Sequence, residues 1–288
     1  MTIFIFGAGF SGQAFGRLMA ARGKTVHGTT RTQDKAGVLR AIGLVPHVFD
    51  GTAVTPELAS ALEETTHLVI SIGPGEEGDP VLNALGDRIA TLPKLEWIGY
   101  LSTVGVYGDH DGAWIDEEAE CRPVSQRSSQ RLAAEMAWQD LADMAGKPLA
   151  ILRLSGIYGP GRNTFVNLER GTAKRLIKPG QVFNRIHVED IARALDFLGE
   201  RHIGGVFNVT DDLPAPPQDV VEYAASLMKV DLPPAIDFET ATISPMARSF
   251  YGECKRVSNA KLKQAGFAFA HSDYKTALSS MWAQGNWH

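Results

Sequence analysis

The sequence has little cysteine, no long apolar run and no block of positive charge. Its only cysteines, Cys121 and Cys254, stand far apart, which argues against a disulfide scaffold and favours a reducing compartment. No apolar stretch approaches the roughly 20 residues of a membrane span. The N-terminus has no basic region before its first glycines, so we expect no signal peptide. A formal charge of −5 without a basic run argues against a nucleic-acid surface.

The eight histidines are scattered without the paired His/Cys spacing of a structural zinc site, so the sequence predicts no metal. Hydrophobic residues make up 44% of the chain and charged residues 21%, which favours an ordered globular protein over a disordered one. We therefore expect a cytoplasmic protein that acts on a small molecule, with neither nucleic acid nor membrane as partner. Whether the chain forms a homodimer stays an open question.

Apolar runs alternate with segments of helical spacing through the first two thirds of the chain. The sequence predicts strands at Thr2–Phe6, Thr25–Thr29, Val45–Phe49, His67–Ile72, Glu96–Leu101, Leu149–Leu154 and Val206–Val209. It predicts helices at Phe10–Arg22, Asp34–Ile42, Pro80–Leu92 and Ser125–Ala145. This alternation is typical of an α/β fold of the Rossmann type, a doubly wound parallel sheet with helices on both faces.

The last third of the chain changes character at a linker rich in proline and acidic residues, Asp211–Pro217. Beyond it the strand–helix alternation fades. We predict a Rossmann domain over residues 1–210 and a small C-terminal cap domain over 211–288. The insertion at 161–182 is expected to contribute to the cap.

The segment GAGFSG follows the first strand and opens the first helix, the context that supports a G-x-G-x-x-G dinucleotide loop. Gly7 permits the tight turn, Gly9 lets the backbone approach the pyrophosphate, and Gly12 lets the helix pack closely on the strand. The amides of Phe10 and Ser11 at the helix N-terminus then bind the phosphates. A purely structural glycine-rich turn is the alternative.

The end of the second strand indicates which dinucleotide is bound. An acidic residue there favours NAD, but this strand ends with Thr29, Thr30 and Arg31. The guanidinium of Arg31 suits a 2′-phosphate, and the two threonines can donate hydrogen bonds, so we predict NADP. Two alternatives stay open. Asp34 lies close enough for the chain to bind NAD instead, and Arg31 could be a solvated surface residue.

Motifs in a fixed order resemble those of the extended short-chain dehydrogenase/reductases, the NAD(P)-dependent sugar-nucleotide epimerases and dehydratases. After GAGFSG they are YLSTVGVYG at Tyr100–Gly108, ILRLSGIYGPGR at Ile151–Arg162, RIHVEDIARAL at Arg185–Leu195 and FNVTDD at Phe207–Asp212. The resemblance implies an oxidoreductase or epimerase-like enzyme in which the small domain closes over the cofactor. It also implies further cofactor-binding residues, namely Asp50 for the adenine, Ser71, Ile72 and Gly73 for the adenosine ribose and phosphates, and Gly156 and Ile157 for the nicotinamide.

The chain departs from that family at the catalytic pair. Thr103 stands where the family has Ser or Thr, but Arg127 and Arg131 stand where Tyr-x-x-x-Lys is expected, counting back from Glu135. Arginine seldom loses its proton, so Arg127 is a poor general base. Two arginines at i and i+4 repel unless an anion lies between them, which suggests a clamp for a carboxylate or phosphate. Solvated arginines are the alternative.

Other residues are candidates for proton transfer if turnover occurs. Tyr107 ranks first, ahead of Tyr158 and His187. The resemblance implies structural roles for His187 and for Asp190, the latter as a buried hydrogen-bonding cap. Near the C-terminus, an aromatic and basic cluster suggests either an anionic ligand or a solvated basic helix; it consists of Arg248, Tyr251, Lys255 and Arg256.

The sequence thus supports an NADP-dependent oxidoreductase or epimerase-like enzyme for a small anionic, sugar-derived substrate. A protein that senses NADP(H) without turnover is the second hypothesis, and the arginine pair keeps it open.

Overall fold

A computed structural model describes the backbone of residues 1–288 and every side chain except those at positions 246 and 247. The strands are β1 (Thr2–Phe6), β2 (Thr25–Thr30), β3 (Val45–Val48), β4 (His67–Ile70), β5 (Trp97–Thr103), β6 (Trp114–Ile115), β7 (Leu149–Leu154), β8 (Gly156–Tyr158), β9 (Arg175–Ile177), β10 (Arg185–His187), β11 (Gly205–Val209), β12 (Ala235–Asp237) and β13 (Arg256–Val257). The α-helices are α1 (Phe10–Ala21), α2 (Ala36–Ala41), α3 (Pro56–Glu63), α4 (Pro80–Ala90), α5 (Gln126–Ala145), α6 (Thr164–Glu169), α7 (Val188–Glu200), α8 (Pro217–Met228), α9 (Pro245–Phe250), α10 (Ala260–Gln264) and α11 (Tyr274–Gln284). Short 3₁₀ turns lie at Gln33–Lys35 and Val104–Tyr107.

Within the described backbone, seven strands form a central sheet in the order β3-β2-β1-β4-β5-β7-β11. The pairs β1–β2, β1–β4, β2–β3 and β4–β5 are parallel. The strand order reverses between β1 and β4, and ligands of doubly wound sheets bind at the carboxyl ends of the strands at such a point. The predicted Rossmann-type fold is confirmed.

The predicted strands differ from the observed ones mainly at their ends. Strand β4 stops at Ile70 rather than Ile72, because the chain leaves the sheet there to pass beside the glycine loop. The amide of Ser71 still donates to Phe6 O at 2.8 Å. Helix α3 was not predicted, although Thr55 caps it and Pro56 occupies its first position, both common helix-start signals.

One face of the sheet packs against α3, α4 and α5. Its core is built from buried aromatic and aliphatic side chains, among them Phe4, Phe6, Leu58, Leu85, Ile98 and Trp138. The indole of Trp138 donates to Asp79 Oδ2 at 3.0 Å. The other oxygen of Asp79 accepts from the amides of Val81 and Leu82 at the start of α4. A single buried carboxylate thus caps α4 and links it to α5.

The described chain divides into two compact units. The first unit consists of residues 1–106, 125–153 and 191–207, and the second of 107–124, 154–190 and 208–288. The segments assigned to the cap by sequence, 161–182 and 211–288, lie in the second unit, which also includes 107–124 and the end of the Rossmann motifs. The boundary at residue 210 stays a prediction.

The second unit contains the parallel strand pairs β8–β10, β9–β12 and β6–β13. Helices α6, α8 and α11 pack together around buried Phe165, Ala224, Tyr274 and Leu278. None of the helices that the structure describes combines the length and apolar composition needed to cross a bilayer.

Candidate functional site

The glycine loop after β1 is held by the end of β2. The amide of Gly7 donates to Thr29 Oγ1 at 2.7 Å, and the amide of Ala8 donates to Thr29 O at 2.9 Å. Thr29 is only 1% exposed. The sequence suggested Thr29 as a donor to a ligand, but its hydroxyl lies beneath the loop and serves as the loop's acceptor.

The space around the three glycines of this loop differs. Gly7 has φ +82°, and an added Cβ would lie 2.7 Å from Ile72 Cγ1 and 2.9 Å from Ile72 N. A Cβ at Gly12 would lie 2.9 Å from Gly7 O. At Gly9 the nearest atom would be Gly7 O at 3.9 Å. Side chains at Gly7 and Gly12 would therefore clash with the protein itself, whereas the space beside Gly9 is open.

The start of α1 is also unlike that of the other long helices of the first unit. Its N-cap is Gly9, which has no side chain to accept from the first-turn amides, Phe10 and Ser11 among them. In contrast, Thr55, Asp79 and Ser125 accept from first-turn amides of α3, α4 and α5. Uncapped amides at a helix N-terminus attract an anion such as a phosphate. Together with the open space at Gly9, this cradle fits a dinucleotide pyrophosphate.

Further candidate cofactor residues follow β2 and β3. Arg31 and Asp34 are both exposed, and Asp34 lies in the 3₁₀ turn at Gln33–Lys35. After β3, Asp50 Oδ1 accepts from the amides of Thr52 and Ala53 at 2.9 and 3.1 Å. The bond from Ala53 and then those from Thr52 lower the pKa of Asp50 to about 2. Asp50 is thus an exposed, fixed anion at any ordinary pH.

Arg131 lies at the carboxyl ends of β4 and β5. Its Nη1 donates to Leu101 O at 2.9 Å, to Tyr100 Oη at 3.2 Å and to Ile72 O at 3.4 Å. Its Nη2 lies 3.2 Å from where a Cβ of Gly73 would be. The guanidinium therefore sits beside the loop that follows β4, close to the glycine cradle. Arg131 is half-buried and held by the sheet, so it is not a solvated surface arginine.

Arg127 lies one turn earlier on α5 and is exposed. The spacing of the pair on one helix is as predicted, but the two arginines differ in environment. Burial raises the pKa of Tyr100, which the positive charge of Arg131 opposes. Tyr100 therefore stays protonated at ordinary pH. The anion clamp between Arg127 and Arg131 stays a prediction.

A group of hydroxyls surrounds Gly105. Thr103 Oγ1 accepts from the amide of Gly105 at 3.1 Å. A Cβ on Gly105 would lie 2.9 Å from Ser128 Oγ and 3.4 Å from Thr103 Oγ1. Ser128 Oγ accepts from Ser125 Oγ at 2.9 Å, so its own proton is not committed by that contact. The sequence motif predicts a role for Thr103 alone, because no local pattern places Ser128, which follows Arg127 on α5, beside Thr103.

A buried ion pair fixes α5 against the sheet. Glu135 is 3% exposed and accepts from Arg153 Nη2 at 2.8 Å and from the hydroxyl of Ser102. Arg153 is itself 6% exposed. In the sequence, Glu135 is recognisable only as the acid that follows the family's Lys position. No sequence pattern predicts that it pairs with Arg153.

The remaining candidates lie in the second unit. Tyr107 is fully buried, and its hydroxyl donates to Asn208 Oδ1 at 2.7 Å. This contact gives the first-ranked acid–base candidate a structural role. Gly156 and Ile157 lie on β8, which pairs with β10. Tyr158 ends β8, and burial raises the pKa of its hydroxyl, with the charge of Asp211 adding to the effect.

Other titratable groups of the second unit are shifted as well. Burial and then the charge of His271 lower the pKa of His187 to about 4, so this ring is neutral at pH 7. Burial raises the pKa of Asp211 to about 8, against the opposing effects of the Leu213 amide and Arg185. Asp190 is buried as predicted, but its carboxylate accepts from the amides at positions 270 and 271 and so ties down a C-terminal loop.

Most side chains of the C-terminal aromatic and basic cluster contact the protein itself, although Arg248 on α9 is exposed. Lys255 is 5% exposed and donates to Gly108 O at 2.6 Å. Tyr251 stacks on Phe238 with ring centroids 4.6 Å apart. Arg248 and Arg256 donate to the carbonyls of residues 241 and 112. These side chains hold loops of the second unit together.

Comparisons with known proteins agree with this geometry. A family model described as the NAD dependent epimerase/dehydratase family matches residues 94–210. A functionally unknown conserved protein from Silicibacter pomeroyi DSS is 44% identical, with a TM-score of 0.89 and 99% of each chain covered. Protein YeeZ of Escherichia coli (strain K12) is 29% identical over 248 residues, which cover 81% of this chain and 85% of that protein.

A more distant structure shares the fold. UDP-glucuronic acid 4-epimerase from Bacillus cereus, solved in complex with NAD, has a TM-score of 0.77 over 98% of each chain and is 16% identical. At this identity the likeness is one of fold, whereas the Silicibacter protein is related along the whole sequence.

Proposed function

We propose that this chain, which belongs to the NAD dependent epimerase/dehydratase family, uses NADP as its dinucleotide and acts as an oxidoreductase on a small anionic, sugar-derived substrate. The observation that carries the proposal is the cradle formed by Gly7, Gly9 and Gly12 at the point where the strand order reverses. Side chains at Gly7 and Gly12 would clash with the protein, whereas a Cβ at Gly9 would meet only Gly7 O at 3.9 Å, which supports the approach of a pyrophosphate at Gly9. A purely structural turn does not explain the open side of Gly9.

The first unit supplies most of the residues that would hold the cofactor. The amides of Phe10 and Ser11 would bind the pyrophosphate, and Asp50 would accept from the adenine amino group. Ser71, Ile72 and Gly73 would line the adenosine ribose and phosphates, and we assign the nicotinamide end to Gly156 and Ile157.

Arg31 supports NADP over NAD. It is an exposed cation at the end of β2, where an acidic residue would be expected for NAD. A guanidinium binds a 2′-phosphate through charge-assisted hydrogen bonds, each worth about 1.5–3 kcal/mol. The exposed Asp34 nearby is the residue that would favour NAD instead.

The cofactor, when bound, supplies hydride transfer at its nicotinamide ring. The protein side chains then bind and orient the substrate. Arg131, held at the ends of β4 and β5, and Arg127, one turn before it, would clamp a carboxylate or phosphate group. Thr103 and Ser128 would hydrogen-bond a substrate hydroxyl or carbonyl. The name of the Bacillus epimerase, which acts on a sugar acid linked to a nucleotide, supports an anionic sugar as the substrate class.

Cofactor choice is tested by titrating NADPH and NADH into the wild type, Arg31→Ala and Asp34→Ala. We expect NADPH to bind more tightly to the wild type and Arg31→Ala to remove most of that preference. Lys35→Ala, which removes an exposed cation from the adjacent 3₁₀ turn, is the matched control and should retain the preference. Equal affinities in the wild type, or an NADH affinity that falls only in Asp34→Ala, would refute the NADP assignment.

The second candidate function is a sensor that binds NADP(H) without turnover. It is favoured by the absence of a tyrosine at position 127 and by the buried hydroxyl of Tyr107, which donates to Asn208. The two functions are separated by incubating the protein with NADP⁺ or NADPH and a panel of sugar acids and nucleotide sugars, followed by product detection. Turnover of any member that depends on Thr103 excludes the sensor; tight cofactor binding without turnover of any member supports it.

A further inference from the structure

A cluster of two imidazoles and a carboxylate lies at the junction between β10 and α7. It consists of His187, at the end of β10, Glu189, at the start of α7, and His271, in the loop before α11. One ligand atom from each of the three residues lies within 4.8 Å of the other two. This spacing suits a shared transition-metal ion, because such an ion brings its ligand atoms about 2 Å from itself.

The ring nitrogens of the cluster are incompletely satisfied. Among the side chains that the structure describes, His187 Nε2 and His271 Nδ1 are buried without a hydrogen-bond partner. His187 is only 4% exposed, and the two ring centroids are 3.9 Å apart. Buried polar atoms without partners are rare and costly, so each such group calls for an explanation. Two neighbouring imidazoles of this kind are the donor set that zinc prefers.

The cluster is also preorganised. The loop that carries His271 is fixed because Asp190 accepts from the amides of Ala270 and His271 at 2.7 and 2.9 Å. The Glu189 carboxylate is held at this ring, since its Oε2 lies 3.0 Å from His271 Nε2, which leaves His271 Nδ1 as the nitrogen without a partner among the described side chains. His187 is held by the parallel pairing of β10 with β8. The backbone positions of the three residues are thus fixed before an ion binds, and preorganised ligands bind more tightly.

A second His–Glu–His group provides an internal comparison. His67, Glu96 and His202 also place one ligand atom each within 4.8 Å of one another. However, both ring nitrogens of His67 are engaged, Nδ1 with the Thr66 hydroxyl at 2.9 Å and Nε2 with Gly199 O at 3.1 Å. Neither ring nitrogen of His67 is therefore left for an ion, whereas His187 and His271 each keep one nitrogen without a partner in the described part of the chain, so this second group serves as a control and not as a site.

We propose that His187, Glu189 and His271 form a binding site for a divalent transition-metal ion, with zinc as the expected occupant. Three protein ligands leave a fourth position for water. The ion would join the β10–α7 junction to the loop before α11 and so stabilise the C-terminal part of the second unit. The scattered positions of these residues in the sequence explain why spacing did not predict the site.

The test uses the full-length, tag-free protein after treatment with a chelator, without cofactor or substrate. Zn²⁺ is titrated in the presence of a chromophoric competitor, and Co²⁺ absorption reports the coordination geometry. We expect one zinc per chain in the wild type. His271→Gln should weaken binding at least about tenfold, since loss of even an outer-shell partner has that effect. His202→Gln is the matched control and should bind as the wild type does.

Thermal unfolding provides an independent readout. Zinc should raise the Tm of the wild type and of His202→Gln, because a ligand that binds only the folded state stabilises it. It should not raise the Tm of Glu189→Gln. The Glu189 side chain is 57% exposed, so that variant tests the site even if His271→Gln does not fold. A wild type that binds no zinc, or variants that bind it as tightly as the wild type, would overturn the proposal.

Discussion

Replacing Gly9 with valine should abolish dinucleotide binding and leave the protein folded. Gly9 has φ −82° and lies in the extended region, which any residue adopts. An added Cβ would meet only Gly7 O, at 3.9 Å, which is ordinary van der Waals contact. The free energy of unfolding should therefore fall by only about 1 kcal/mol, because valine causes no clash but is a poorer helix N-cap than glycine.

The cost to binding should be much larger. A valine side chain would occupy the space from which the pyrophosphate approaches the uncapped amides of α1. Hydrogen bonds to a charged group contribute about 1.5–3 kcal/mol each, so the loss of two amounts to about 3–6 kcal/mol. Since about 1.4 kcal/mol corresponds to tenfold in affinity, Kd should rise by roughly a hundredfold to ten-thousandfold.

The neighbouring glycines are the controls. Gly12→Val should lower the free energy of unfolding by about 1–3 kcal/mol, because its side chain would overpack against Gly7 O. Gly7→Ala should also destabilise, since φ +82° alone costs about 1–2 kcal/mol for a residue with a Cβ. Circular dichroism measures unfolding, and calorimetric titration measures binding of NADPH and of NADH on the same samples. A Gly9→Val protein that binds the wild type's preferred dinucleotide within twofold of the wild type would refute the cradle.

Other predictions concern charge. Replacing Arg127 with Tyr and Arg131 with Lys should weaken binding of small carboxylates and phosphates, measured by thermal shift with NADP present; unchanged binding of every anion would refute the clamp. Glu135→Gln should destabilise by about 3–5 kcal/mol in urea unfolding, because Arg153 loses its buried counter-charge, and a loss under 1 kcal/mol would contradict this. The pKa of Asp211 is raised to about 8 by burial, so its neutral form favours folding. That contribution is full below pH 4 and is lost as pH rises through 8. Asp211→Asn should therefore make the free energy of unfolding depend less on pH between 4 and 8, as measured by urea unfolding at a series of pH values. The same pH dependence in the variant and in the wild type would show that Asp211 ionises freely.

Much of the fold was predictable because it is encoded locally. The apolar run of β1 and the glycines that follow it are adjacent in the sequence, and the same holds for most strands of the sheet. Helix α3 was not predicted because its apolar residues are few, and its start signal, Thr55 followed by Pro56, consists of only two residues.

The candidate site was predictable to a smaller extent. Gly7, Gly9 and Gly12 form a contiguous motif, so their roles follow from spacing. The contacts of Arg131 depend on where the ends of β4 and β5 lie, and no local pattern contains that information. The same is true of Ser128 beside Gly105 and of the pair between Glu135 and Arg153, whose partners meet only after the sheet has formed.

The uncapped start of α1 has a consequence for the lifetime of the protein. A helix whose first amides are satisfied by a dinucleotide gains stability only when that dinucleotide is bound, at about 2.7 kcal/mol when its concentration is a hundredfold above Kd. The fraction of open, protease-sensitive molecules then falls about a hundredfold. Depletion of the nucleotide would therefore shorten the half-life of the chain, and its abundance would follow the supply of its own ligand.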